Sequence, residues 1–161
     1  FDGEWQRWSA FRNPAAEVII DLDIGDLFED LIELPEATPL PDPGFRDILI
    51  PHLGVEWRAF EADRARVDVR AGYVYEPSPA PEQIAESNFI DNGKHTVSLG
   101  AGVTVRRYST ILLRPLSLDA FAAVTVLPSR DHAKLSAADP VGDYRSDGVV
   151  WQAGLSSRWR F

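Results

Sequence analysis

The chain has neither cysteine nor methionine. Without cysteine there are no disulfides, no thiolate metal sites and no cysteine nucleophile, which suits any compartment where a stray thiol is a liability. Although 45% of the residues are hydrophobic, no apolar run approaches the roughly 20 residues that a membrane helix needs, so a helical membrane protein is excluded. Positive charge is scarce too. Against 25 Asp and Glu stand 16 Lys and Arg, a formal net charge of -9 over 161 residues, which disfavours nucleic-acid binding through a basic face. The sequence opens on Phe1 and runs straight into "DGEWQRWSAF", with no charged and then apolar leader. The expectation is one domain, 1–161, that is a piece of a longer chain.

What the sequence has instead is alternation. In the last strand Val149, Trp151, Ala153, Leu155, Ser157, Trp159 and Phe161 share one face, apolar apart from Ser157. Gly148, Val150, Gln152, Gly154, Ser156, Arg158 and Arg160 share the other, small or polar apart from Val150. "TVSLGAGVTV" sets Val97, Leu99, Ala101, Val103 and Val105 against Thr96, Ser98, Gly100, Gly102 and Thr104. "RVDVRAGYVY" sets Val67, Val69, Ala71, Tyr73 and Tyr75 against Arg66, Asp68, Arg70, Gly72 and Val74. "ILIPHLGVEWRAF" places Leu49, Pro51, Leu53, Val55, Trp57 and Ala59 together, and "LSLDAFAAVTV" does so for Leu116, Leu118, Ala120, Ala122, Val124 and Val126. A longer, less regular first strand is expected from Glu4 to about Leu22, broken at Pro14.

About six strands follow, and their connections are sorted by length. Long polar stretches (about 23–44, 76–94 and 128–147) alternate with shorter links (61–64 and about 107–115). Ten-residue strands with short turns at one end and long loops at the other are the layout of an outer-membrane β-barrel. Charge sorts likewise, acids into the long loops and arginines toward the short-turn ends. The expected fold is therefore all-β, an antiparallel meander of about six transmembrane strands. Six strands leave two unpaired edges, and backbone in lipid must be paired. Either several chains assemble or N-terminal strands are missing, and the absent Met and abrupt start favour the second.

The residues at this point resemble the FadL-like family of outer-membrane transporters for long-chain fatty acids and other hydrophobic compounds, its aromatic-hydrocarbon members included. Trp8, Ser9 and Phe11 look like the family's Trp-Ser-x-Phe strand. "VRAGYVYEPSPAP", with Arg70, Gly72, Tyr73, Ser78, Pro79 and Pro81, resembles its strand followed by a Ser-Pro-x-Pro loop. Asp91 and the run Ser98, Leu99, Gly100, Gly102 resemble the next loop and strand. "NPA" at Asn13, Pro14 and Ala15 matches a hatch motif of the family but lies too far downstream, and is read as chance. The resemblance implies the last third or so of a monomeric 14-stranded barrel in the outer membrane of a Gram-negative cell, with the hatch and early strands absent. It implies passive uptake of hydrophobic compounds such as long-chain fatty acids or hydrocarbons, contact with outer-membrane lipids, and no covalent chemistry. Phe161, with Trp159 before it, then corresponds to the terminal aromatic signal read by the barrel assembly machinery.

Candidate sites follow from this frame. Trp5, Trp57, Tyr73, Tyr75, Trp151 and Trp159 suit aromatic girdles at the membrane interfaces. Glu56, Arg58, Arg66, Asp68, Arg70, Arg158 and Arg160 are candidate lumen charges. The arginines either guide a carboxylate or, as is preferred here, pair with Glu56, Asp68 and Asp119. "IGDLFEDLIEL" carries Leu27, Phe28 and Leu31 at helical spacing, either an apolar stripe contacting a hydrophobic substrate or a helix packed on the rim. His52, His95 and His132 sit in no nucleophile motif, so no catalytic residue is assigned, and no calcium-loop spacing or cofactor motif occurs. The alternative is a soluble or secreted β-barrel or sandwich that binds ligands, for which the glycine-rich face would make a thin core.

Overall fold

A computed structural model describes residues 1–11, 42–83, 89–106, 115–137 and 139–159. Six strands form one antiparallel sheet in chain order: β1 (Asp2–Gln6), β2 (Ile48–Glu61), β3 (Ala65–Glu76), β4 (Lys94–Val105), β5 (Leu116–His132) and β6 (Tyr144–Trp159). The expected meander is the observed one. No helix among the described residues is long and apolar enough to cross a membrane.

The register carries each alternating set across the sheet. Val55, Ala71, Leu99, Ala122 and Ala153 align in one row and Leu53, Tyr73, Val97, Val124 and Trp151 in the next, so a single apolar face spans β2 to β6. Gly72, Ser98, Ala123 and Gln152 align on the opposite face. The polar face is the more enclosed, since Asp68, Gly102 and Ala123 are buried on it. The apolar face lies open, with Leu155 87% and Trp151 77% exposed. Buried hydrophobics among the described residues are only Ile48, Ile50, Ala80 and Ala123. A large apolar side chain forfeits about 1.5–3 kcal/mol when it stays in water instead of being buried. Among the described residues the sheet is held by its backbone ladders and has almost no hydrophobic core of its own.

Three expectations are corrected. The first strand ends at Gln6 because Arg7 leaves the extended conformation and Trp8–Ala10 form a 3-10 turn; the rest of the expected stretch, 12–22 with Pro14, lies outside the described residues. The Asp47 side chain fixes that turn by accepting the Ser9 N–H at 2.9 Å, and bonding to Ser9 holds its carboxyl below the usual range. The Trp-Ser-x-Phe stretch is thus turn and not strand. Second, β2 carries a bulge between Arg58 and Phe60, so Ala59 is the extra residue. Phe60, opposite Val67, takes the apolar place given to Ala59, and Glu61, opposite Arg66, joins the polar face. Third, β5 runs past Val126 to His132, because a register shift between Leu127 and Arg130 absorbs Pro128 where no ladder donor is required.

Glycine on the polar face has a local reason at Gly154. Phe121 lies opposite it, and a Cβ built on Gly154 would overlap Cε1 of that ring and lie 2.9 Å from its Cζ. The ring covers the bare backbone of the neighbouring strand. Gly154→Val is expected to cost about 1–3 kcal/mol by overpacking, measured as a loss of urea stability in the assembled protein. The cost should shrink in a Phe121→Ala background.

Candidate functional site

The polar face carries a continuous array of charges. Arg70 lies between β2 and β5, with Nε donating to Glu56 at 2.7 Å and a terminal nitrogen donating to Asp119 at 2.9 Å. Arg66 donates from Nε to Asp68 at 2.6 Å and lies 3.6 Å from Glu56. Arg58 sits 3.9 Å from Asp68 and donates to Glu61 at 2.7 Å, and Arg106 reaches the other Glu61 oxygen at 2.6 Å. Arg58, Arg66, Arg70 and Arg106 thus alternate with Glu56, Glu61, Asp68 and Asp119, and the array is neutral as a whole. Most of these side chains are partly exposed, so each pair contributes about 0–1 kcal/mol. Their joint effect is to satisfy one another across β2, β3, β5 and the residue that follows β4.

The structure therefore brings together Glu56, Arg58, Arg66, Asp68 and Arg70, in the paired arrangement and not as free guanidiniums. Arg158 stands apart on β6, lining a small recess with Thr104, Pro115 and Ser117. Arg160, Phe161, Leu27, Phe28 and Leu31 lie outside the described residues. Glu61 was missed because the bulge that turns it inward has no signature in "WRAFE".

The proposed girdle residues all lie on the apolar face or its extension. Trp57 and Trp159 are near the short-turn end; Trp5, Tyr73, Tyr75 and Trp151 are toward the long-loop end. There Tyr73 shares a 2.7 Å hydrogen bond with His95 Nδ1, and Tyr75 stacks on the same imidazole at 4.7 Å. Between the two ends the face is mostly aliphatic, with Val55, Ala71, Leu99, Ala122, Ala153 and Leu155.

Above the long-loop end sits a cap that the sequence did not disclose. Pro77, Pro79 and Pro81 remove ladder donors from the segment after β3, so its carbonyls need other partners. Arg130 supplies them, donating to Ser78 Oγ at 2.8 Å, to the Asp91 carbonyl at 2.9 Å and to the Ala80 carbonyl at 2.8 Å. Arg46 donates its backbone N–H to the Pro79 carbonyl at 3.0 Å and its Nε to the Ser78 carbonyl at 3.3 Å. Buried Asn92 donates to the Pro128 and Ser146 carbonyls, both at 2.8 Å. Buried His132 accepts the Gln83 N–H at Nδ1, 3.2 Å away, and stacks on Tyr144 at 4.6 Å. Phe89, Phe45, Phe11 and Trp8 continue the cap as a chain of ring contacts. The β5 register shift makes this possible, since Arg130 pairs with Ser146 and so faces the cap.

Burial first, then the charges of Arg130 and Lys134, push the His132 imidazole below its ordinary value. Neutral His132 is what the Gln83 hydrogen bond needs. An unfolded histidine titrates near pH 6.5, so below that pH the unfolded chain binds the proton that the folded chain resists. The contribution of His132 is full above about pH 6.5 and declines as the pH falls toward its lowered folded value. Urea midpoints of the assembled protein should fall between pH 7.5 and 5.5, and His132→Gln should flatten that slope.

No family profile and no solved structure matches the chain. Among curated proteins it is similar to alkane uptake protein A of Marinobacter nauticus, with 37% identity over 129 residues. The matched segment is 80% of this chain and 25% of the relative, so the chain spans about a quarter of that protein's length.

Proposed function

We propose that the chain is the C-terminal wall of an outer-membrane β-barrel that takes up hydrophobic compounds passively, long-chain fatty acids or hydrocarbons among them. The observation that carries this reading is the exposed apolar face, continuous over five strands and flanked by aromatic residues at both ends. A face of that extent on a water-soluble monomer would be an aggregation hazard. Facing lipid, it needs no other cover. A soluble sandwich would pack a second layer on it, and the described residues supply none.

The likeness to a protein named for alkane uptake supports a hydrophobic cargo. The paired arginines favour the uncharged end of that range. Guanidiniums already held by Glu56, Glu61, Asp68 and Asp119 offer little to a substrate carboxylate, whereas a neutral, self-satisfied wall does not hold an alkane back. The far edges of β1 and β6 carry unpaired backbone, which strands from the rest of a longer barrel would close. The complete barrel is a monomer in contact with outer-membrane lipids.

Adjacent residues of β6 test the assignment of faces. In the N-terminally completed protein, Ala153→Arg places a charge toward lipid near the middle of the band, at a cost of about 2–4 kcal/mol. Gln152→Arg places the same charge toward the lumen. Outer-membrane assembly and uptake of labelled hexadecane should collapse for Ala153→Arg, while Gln152→Arg should still assemble. Equal assembly of both variants would contradict the lipid-facing assignment.

A further inference from the structure

A cleft lies at the long-loop end of the sheet, outside the charge array. Where β3 ends, β4 begins and β5 continues, this cleft of about 430 Å³ is lined by Arg46, Tyr75, Glu82, His95, Pro128 and Arg130 among others. Tyr75 and His95 belong to the apolar face, so the cleft sits directly above the aromatic group at the long-loop end. In the barrel reading, on which this inference rests, that is the level of lipid headgroups.

The two arginines differ from those of the polar face. Arg58, Arg66, Arg70 and Arg106 each meet a carboxylate. Arg130 spends its terminal nitrogens on a hydroxyl and two carbonyls, and Arg46 bonds the Ser78 carbonyl, so both are held by neutral oxygens. Among the described residues neither makes an ion pair. Glu82, which is exposed, is the carboxylate on the cleft lining; the Asp91 side chain is turned to Lys94, 3.8 Å away. Below the cleft the apolar face continues through exposed Val97 and Val126.

We propose that this cleft binds the phosphate of an outer-leaflet lipid, with its acyl chain lying along the apolar face past Val97 and Val126. Arg46 is the principal contact, because its guanidinium has one neutral bond and is exposed, while Arg130 adds charge from behind as it pins the cap. Two guanidiniums against one carboxylate leave a local excess of positive charge on a chain of net -9. His95, held between Tyr73 and Tyr75, offers its remaining ring nitrogen at the same level.

The test uses the N-terminally completed protein in phosphatidylcholine vesicles, with spin-labelled phosphatidic acid compared with spin-labelled phosphatidylcholine. Wild type should prefer phosphatidic acid. Arg46→Gln should lower that preference about five-fold, the effect of one cation near an anionic lipid, and Glu82→Gln should raise it. Neither substitution removes the Arg130 bonds that hold the cap. Equal binding of the two lipids by wild type, or an unchanged preference in Arg46→Gln, overturns the inference. So does displacement of the lipid by millimolar inorganic phosphate, which would make this a site for the free anion. Heat-modifiability on the same samples reports insertion separately: a barrel that inserts without lipid preference contradicts only this inference, whereas one that never inserts contradicts the wall reading as well.

Discussion

Everything in this structure depends on the two-residue alternation being kept in register from strand to strand. Because side chains switch faces at every step, a shift by one residue in a single strand would send its apolar set to the wrong side. The ladders from β2 to β6 prevent that, and in doing so they separate an aliphatic surface from one that holds nearly all the strand charges. Neither face would persist alone. The apolar face has almost no packing partner in the described residues, and the polar face is satisfied only because Arg70 finds Glu56 and Asp119 on strands that the register brings beside it.

The two departures from regular alternation re-aim the side chains that tie distant segments together. The bulge at Ala59 rotates Glu61 into the charge array, where it closes the chain between Arg58 and Arg106. The shift beyond Leu127 turns Arg130 and His132 toward the cap, where they hold a proline-rich segment that cannot enter the sheet. Bulges re-aim side chains at the cost of local pairing. Here one completes the charge array and the other holds the cap.

The regular part of the fold was legible in the sequence for a simple reason. β3 and β4 have unlike faces except at Val74, so their alternation is nearly unbroken and their boundaries fall at Glu76 and Lys94 as the loops suggested. The first strand was overextended because Trp8, Ser9 and Phe11 resemble a strand motif, whereas a distant carboxylate, Asp47, stabilises a turn there. β5 was cut short because Pro128 reads as a stop, and a bulge that tolerates it leaves no local mark. Of the candidate site, pairing of the arginines with Glu56, Asp68 and Asp119 followed from shared faces. The cap did not, since Arg130 reaches Ala80 across 50 residues and only the folded register sets them side by side.

The central claim is that this sheet is part of a lipid-facing wall and needs further strands to close. The most direct measurement is heat-modifiability on a gel, with circular dichroism, of this chain and of an N-terminally extended version refolded into detergent or lipid. The account predicts a compact, heat-sensitive β species from the extended chain and none from this chain alone. A soluble, folded monomer formed by this chain in plain buffer would contradict it.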